Sequence, residues 1–148
     1  MIELSVYSVL YSLLSRHRVV LLKENEGERY LPIWVGMFES EAIAMRLQGA
    51  AVPRPLTHDL LANMVGELGG ALQYIVVNDL SESTFYARIA VERDGEVQLV
   101  DSRPSDAIAL ALRAQIPIYA EEGVMDKAGI VTSAEIRSAT SAKEDELD

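Results

Sequence analysis

The 148-residue chain contains no cysteine and no long hydrophobic run. Without cysteine there is no disulfide framework, no thiolate metal site and no cysteine nucleophile, as is common in a reducing cytoplasm. No apolar run reaches the roughly 18 residues of a membrane-spanning helix. The N-terminus does not resemble a signal peptide, because Glu3 stands among alternating apolar residues. We therefore expect a cytoplasmic protein without membrane contact.

Basic residues are also few. Lys and Arg number 13 against 23 Asp and Glu, giving a net charge of −10 and a pI near 4.6. Residues 131–148 hold five acids and two bases, a charge of −3, so the other 130 residues carry −7. Proteins that coat nucleic acid are usually basic, since phosphate neutralisation supplies much of their affinity. A polyanionic ligand would need a local basic patch, a metal ion or both.

Alternating apolar residues predict strands, and apolar residues at helical spacing predict helices. Because Pro32 cannot donate to a strand ladder, the strand that contains it is predicted at a sheet edge or a bulge. The run Ala107–Leu112 is apolar on all sides and predicts a deeply buried helix. The predicted strands are 2–10, 18–24, 28–35, 72–79, 84–93 and 96–101, and the predicted helices are 38–49, 58–68, 104–115 and 121–128.

The order of these elements is repeated within the chain. Residues 40–47 (SEAIAMRL) align with residues 105–112 (SDAIALAL), with five of the eight positions identical. We predict one α+β domain with an internal duplication of a β-β-β-α-α unit, a mixed or antiparallel sheet and packed helices. The domain is placed at residues 1–130. Residues 131–148 are predicted to form an acidic C-terminal tail, in which Ser133 could cap a short helix over 133–142.

Three polar segments, 38–41, 54–59 and 101–106, each lie at a predicted helix N-terminus. Such ends offer unpaired N–H groups and bind anions readily. Clustered carboxylates could hold a hard cation such as Mg²⁺, and His58 could transfer protons near neutral pH. No phosphate-binding glycine loop, nucleophile elbow or zinc spacing is present in the sequence.

A structural interpretation stands beside each of these features. His58 could be a hydrogen-bonded structural histidine, and Glu39 and Glu41 fit first-turn charges on a solvated face. Ser, Thr and Asp at helix starts are caps more often than ligands, and this applies to Thr57, Asp59, Ser105 and Asp106 taken singly.

Arg54 and Arg103 are harder to explain by capping, because a positive charge at a helix start opposes the helix dipole. Each indicates either a partner carboxylate within the protein or an anionic ligand.

Four segments carry a resemblance to a known family. They are YLPIWVG at 30–36, RPLTHDL at 54–60, TFYA at 84–87 and SRPSDAIALALR at 102–113. In this order and spacing they resemble the bifunctional nuclease domain family, over about residues 1–130. The resemblance implies a compact α+β domain that cleaves DNA and RNA, a property associated mainly with plant members.

If the chain is a nuclease, it hydrolyses phosphodiester bonds of nucleic acid with help from Mg²⁺ or Mn²⁺ and uses no organic cofactor. Three sets of residues are then assigned. The catalytic set is His58, Asp59, Arg103 and Asp106; the phosphate-binding set is Arg54, Arg103 and Ser105; the metal set is Asp101, Asp106 and Glu41.

The alternative function is a non-catalytic binding or regulatory module that self-associates. Apolar strands, the twofold repeat, and Trp34 near the edge-type Pro32 favour a homo-oligomer, with a dimer first. Convergence of the three polar segments in one open cleft would favour the enzyme, whereas scattered or mutually satisfied segments would favour the module.

Overall fold

Two antiparallel three-stranded meanders form the halves of one sheet. The computed structural model describes residues 1–11, 17–131 and 134–136. The first meander is β1 (Ile2–Tyr11), β2 (Arg18–Glu24) and β3 (Tyr30–Val35), and the second is β4 (Ala71–Ser81), β5 (Thr84–Arg93) and β6 (Glu96–Ser102).

The short strand β7 (Ile118–Ala120) joins the two meanders. It pairs antiparallel with β1 and parallel with β4, giving the order β3-β2-β1-β7-β4-β5-β6. This mixed sheet confirms the predicted α+β class. The outermost strands are β3 and β6, so Pro32 does lie in an edge strand, where its missing N–H breaks no ladder on the open side.

The helices begin and end within two residues of their predicted bounds. They are α1 (Met37–Leu47), α2 (Thr57–Glu67), α3 (Pro104–Ala114) and α4 (Glu122–Ala128). Helix α3 lies between α1 and α2 and packs against both, as well as against β4 and β5. No helix of the described residues is long and apolar enough to cross a membrane.

The core is centred on α3, as its all-apolar sequence predicts. Residues Ala107–Ala111 are all buried, and Ile108 and Leu110 are among the largest fully buried side chains. They share one apolar cluster with Ile75 and Val77 of β4 and with residues of the first meander. Both halves of the sheet therefore contribute to a single core.

The two aligned segments occupy equivalent places, since α1 follows β3 and α3 follows β6. The halves then differ: β7 separates α3 from α4, whereas 48–56 connects α1 to α2 without a strand. The duplication and the division at residue 130 stay predictions. Residues 134–136 are helical, and the rest of the helix expected over 133–142 lies outside the described residues.

Candidate functional site

The three polar segments converge on one open cleft of about 980 Å³. The N-terminal turns of α1, α2 and α3 and the end of β6 form its walls. Its polar lining includes both acidic and basic groups, and its apolar lining comes from α1, from α2 and the residues before it, from β6 and from Ile89 of β5. The polar residues are Glu39, Glu41, Thr57, His58, Asp101, Ser102, Arg103 and Asp106, and the larger apolar ones are Phe38, Met45, Leu56, Leu61, Ile89 and Val100.

Helix α2, which borders this cleft, begins one residue earlier than its sequence predicts. Thr57 was the expected N-cap, but Leu56 is the capping residue and Thr57 begins the helix. The Leu56 N–H donates to Asp59 Oδ2 at 3.0 Å, so the aspartate supplies the cap from inside the first turn. This turn carries His58 into the cleft.

A continuous chain of contacts links α2, α3 and α1 across the cleft. His58 Nε2 lies 3.1 Å from Asp106 Oδ1. Arg103 Nε donates to Asp106 Oδ2 at 2.9 Å, and Arg103 Nη2 donates to Glu39 Oε1 at 2.8 Å. The predicted catalytic residues His58, Arg103 and Asp106 are therefore in direct contact.

The two carboxylates explain why an arginine is tolerated at the start of α3. Hydrogen bonds to Asp106, and next to Glu39, raise the pKa of Arg103 above its ordinary value. The sequence left open whether Arg103 pairs with a carboxylate of the protein or binds an anionic ligand, and in the structure it pairs with two carboxylates of the protein. The Arg103 side chain is still 65% exposed, so its guanidinium remains accessible from the cleft.

The prediction that Glu39 is a first-turn charge on a solvated face is wrong. Its side chain is only 17% exposed and forms an ion pair with Arg103. The carboxylate folds back against Gly36, where a Cβ atom would collide with Glu39 Oε2. The glycine before α1 is a local signal for this close approach, but the partner 64 residues away could not be read from the sequence.

Two arginines that the sequence analysis did not single out hold other site carboxylates. Arg18 Nη1 donates to Glu41 Oε1 at 2.8 Å and to the buried Ser40 hydroxyl at 3.0 Å. Arg113 Nε lies 2.8 Å from Asp59 Oδ1, and Asp59 also caps α2. Neither arginine is close in sequence to its partner, so no motif marks these pairs.

Other predicted residues lie at the margins of the cleft or behind it. Asp59 faces Arg113 and does not line the main cleft. Arg54 is exposed and also absent from the lining, although its neighbour Pro55 contributes to it. Ser105 is buried and borders a separate pocket of about 280 Å³ beside β3.

The predicted metal residues Glu41, Asp101 and Asp106 all line the cleft. Across residues 1–11, 17–131 and 134–136, no three His, Asp or Glu side chains are grouped closely enough to hold a metal ion. Asp106 is engaged by His58 and Arg103, and Glu41 by Arg18. As arranged, these side chains do not form a preassembled metal site, and metal dependence stays a prediction.

Together these features define an α+β domain with a charged cleft where three helix N-termini meet. Residues 20–133 match the model of the bifunctional nuclease domain. The chain therefore belongs to the bifunctional nuclease domain family, as its sequence resemblance indicates.

Its relatives include a bacterial protein and longer plant proteins. An "uncharacterized protein" of Mycobacterium tuberculosis is 45% identical over 132 residues, covering 88% of this chain and 79% of the relative. "Bifunctional nuclease 1" of Oryza sativa subsp. japonica is 26% identical and "Bifunctional nuclease 2" of Arabidopsis thaliana 24%. These matches cover 77% and 86% of this chain but only 35% and 41% of the plant proteins.

Proposed function

We propose that the cleft binds the phosphodiester backbone of DNA or RNA and hydrolyses it. The observation that carries this proposal is the contact chain His58–Asp106–Arg103 inside a single open cleft. It brings a proton-transfer group and a phosphate-binding group together, which phosphodiester hydrolysis requires. The names of the plant relatives support the same reaction class.

His58 is assigned to proton transfer. An ionised carboxylate only accepts hydrogen bonds, so the contact with Asp106 places a proton on His58 Nε2. The neutral ring then carries its free lone pair on Nδ1, the atom that can take a proton from water. Asp106 fixes this tautomer and stabilises the imidazolium that forms, in the way that a carboxylate supports a catalytic histidine elsewhere.

Arg103 is assigned to the phosphate. Its contacts with Asp106 and Glu39 use Nε and Nη2, so Nη1 is left for a substrate oxygen. The two carboxylates hold the guanidinium in place, which reduces the entropy lost on binding. An arginine fixed in this way stabilises negative charge that develops on a phosphoryl oxygen.

The charge of the cleft limits how nucleic acid binds. Four carboxylates and one arginine are among its lining residues, and the whole chain carries −10. Extended contact with many phosphates would be repulsive, because each contact normally needs a cation. The proposal is therefore for contact with one or two phosphates, with weak binding. It assigns no step to a metal ion.

The test is cleavage of DNA and RNA by highly purified protein, with EDTA, Mg²⁺ or Mn²⁺. We expect His58→Gln and Asp106→Asn each to lower kcat/KM by about 100-fold or more, since general acid–base catalysis contributes about that much. Arg103→Lys keeps the charge but loses the planar fork, and should also reduce cleavage. His17→Gln is the matched control, because His17 is the only other histidine and does not line the cleft.

Two results would contradict the assignment. If His58→Gln and Asp106→Asn both cleave as fast as the parent, these residues are not catalytic. If the parent cleaves neither nucleic acid with either metal, the non-catalytic module is the better function. The internal pairing of Arg103 and the acidic cleft are the observations that favour that second function.

A further inference from the structure

Helix α2 carries an apolar stripe that faces away from its own domain. Leu60, Leu61, Met64 and Leu68 are 42–64% exposed, and the helix contributes no buried residue. Their spacing is the pattern that usually packs on a core. The helix instead rests on α3 through other positions, among them Asp59, which pairs with Arg113. No described part of the chain buries this stripe.

Edge strand β6 extends this apolar area. Val97, Leu99 and Val100 are 47–56% exposed, and β6 pairs with β5 alone among the strands of the described residues. Its free edge therefore presents unpaired backbone N–H and C=O groups. Leu61 and Val100 line the same cleft, so the helix stripe adjoins β6 through Val100. Val97 and Leu99 lie beside the same free edge on the opposite face of the sheet, because alternate residues of a strand point to opposite faces. We call these seven residues the α2–β6 surface.

We propose that a second copy of this chain docks on the α2–β6 surface to form a homodimer. Burying a Leu or Val side chain stabilises by about 1.5–3 kcal/mol. At about 25 cal/mol per Å² of buried apolar surface, this corresponds to roughly 60–120 Å² for each side chain. The seven side chains, about half exposed, with Phe38 and Leu56 beside them in the cleft, then offer roughly 300–600 Å². A standard interface buries about 800 Å² of surface on each partner. In homodimers about 65% of this surface is apolar, which gives roughly 500 Å² of apolar surface per partner.

The chemistry of the surface favours a second copy over other occupants. Its seven side chains are aliphatic or Met and include no Lys or Arg for phosphates, which argues against nucleic acid. Residues 137–148 contain one large apolar side chain, Leu147, and five acidic or basic groups besides Arg137, so their composition does not match the stripe. A second copy presents the same apolar stripe and the same open strand edge, as an isologous dimer requires.

The proposed dimer contact lies at the opposite edge of the sheet from the contact that the sequence predicts. The sequence had pointed to Trp34 and Pro32 on β3, whereas the α2–β6 surface adjoins the other edge strand. Because Leu61 and Val100 belong to both the surface and the cleft, docking would cover part of one cleft wall. The inference does not depend on whether the cleft is catalytic.

The test is molar mass in solution, measured by light scattering at about 100 µM chain. We expect the parent to run at about 33 kDa, twice the 16.3 kDa of one chain. The double variant Met64→Glu/Leu68→Glu should run at the single-chain mass, because two buried carboxylates without partners are costly. Val131→Glu is the matched control, since Val131 is 52% exposed like Met64 but lies outside the surface, and it should remain dimeric.

Far-UV circular dichroism of each variant checks that it is folded, and Leu60→Gln/Leu68→Gln replaces the charged double variant if that one is not. A parent at single-chain mass overturns the proposal, as does a folded double variant that stays dimeric. If Trp34→Ser alone gives single chains, the contact lies at the β3 edge and the α2–β6 surface is not the interface.

Discussion

Helices α2 and α3 have the same length, and both begin at the cleft, yet their surroundings are opposite. Each spans 11 residues. Helix α3 buries seven of its residues, whereas α2 buries none and exposes three large apolar side chains, with a fourth, Leu68, at its C-cap. The difference shows that an apolar stripe in the sequence indicates which face of a helix favours burial, but does not indicate what buries it.

The largest expected effect is on the buried helix. Leu110→Ala should lower the free energy of unfolding by about 2–5 kcal/mol, because it removes a fully buried side chain and leaves a cavity. Leu60→Ala should change it by less than about 0.5 kcal/mol, since Leu60 is about half exposed.

Urea denaturation measures both changes, in the Met64→Glu/Leu68→Glu background so that dimer contacts do not contribute. Equal losses at the two positions would show that α2 is covered within its own chain and would remove the contrast between the helices.

A smaller effect is expected where the two helices are joined. Asp59→Ala removes both the N-terminal cap of α2 and the ion pair with Arg113. We expect a loss of about 1 kcal/mol, mostly from the cap. Arg113→Met keeps the stem and leaves the cap in place, but removes the pair and a long hydrogen bond of 3.4 Å from Arg113 Nη2 to Asn63 Oδ1. It should cost less than Asp59→Ala in the same urea experiment. A larger loss for Arg113→Met would assign the stabilisation to the ion pair.

The smallest effect is expected for the acidic tail. Removing residues 131–148 should shift Tm by less than about 3 °C, because Tyr30 and Ile130 still form their bridge and, among the described residues, the buried core lies before residue 131. Differential scanning calorimetry measures the shift. A large fall in Tm, or loss of the dimer on truncation, would mean that the tail docks on the domain.

Much of the fold was predictable because its signals are local. Alternation predicted the strands at 2–10 and 84–93, apolar runs and turn residues predicted the other four meander strands, and the all-apolar run Ala107–Leu112 predicted the central helix. The N-terminal turns of α1, α2 and α3 were likewise recognisable as polar segments. The N-terminal cap of α2 was predicted less accurately, because Asp59 in the first turn of the helix accepts the capping hydrogen bond, whereas Thr57 was the expected cap.

The sequence by itself determined the elements, the buried helix α3 and the family, because periodicity and motif spacing depend on neighbouring residues. Only the tertiary structure decided that His58 meets Asp106, 48 residues away, and that Arg103 meets Glu39, 64 residues away. It also decided that the α2 stripe faces outward. Such contacts depend on how packed helices orient side chains across a sheet, and no local pattern encodes that orientation.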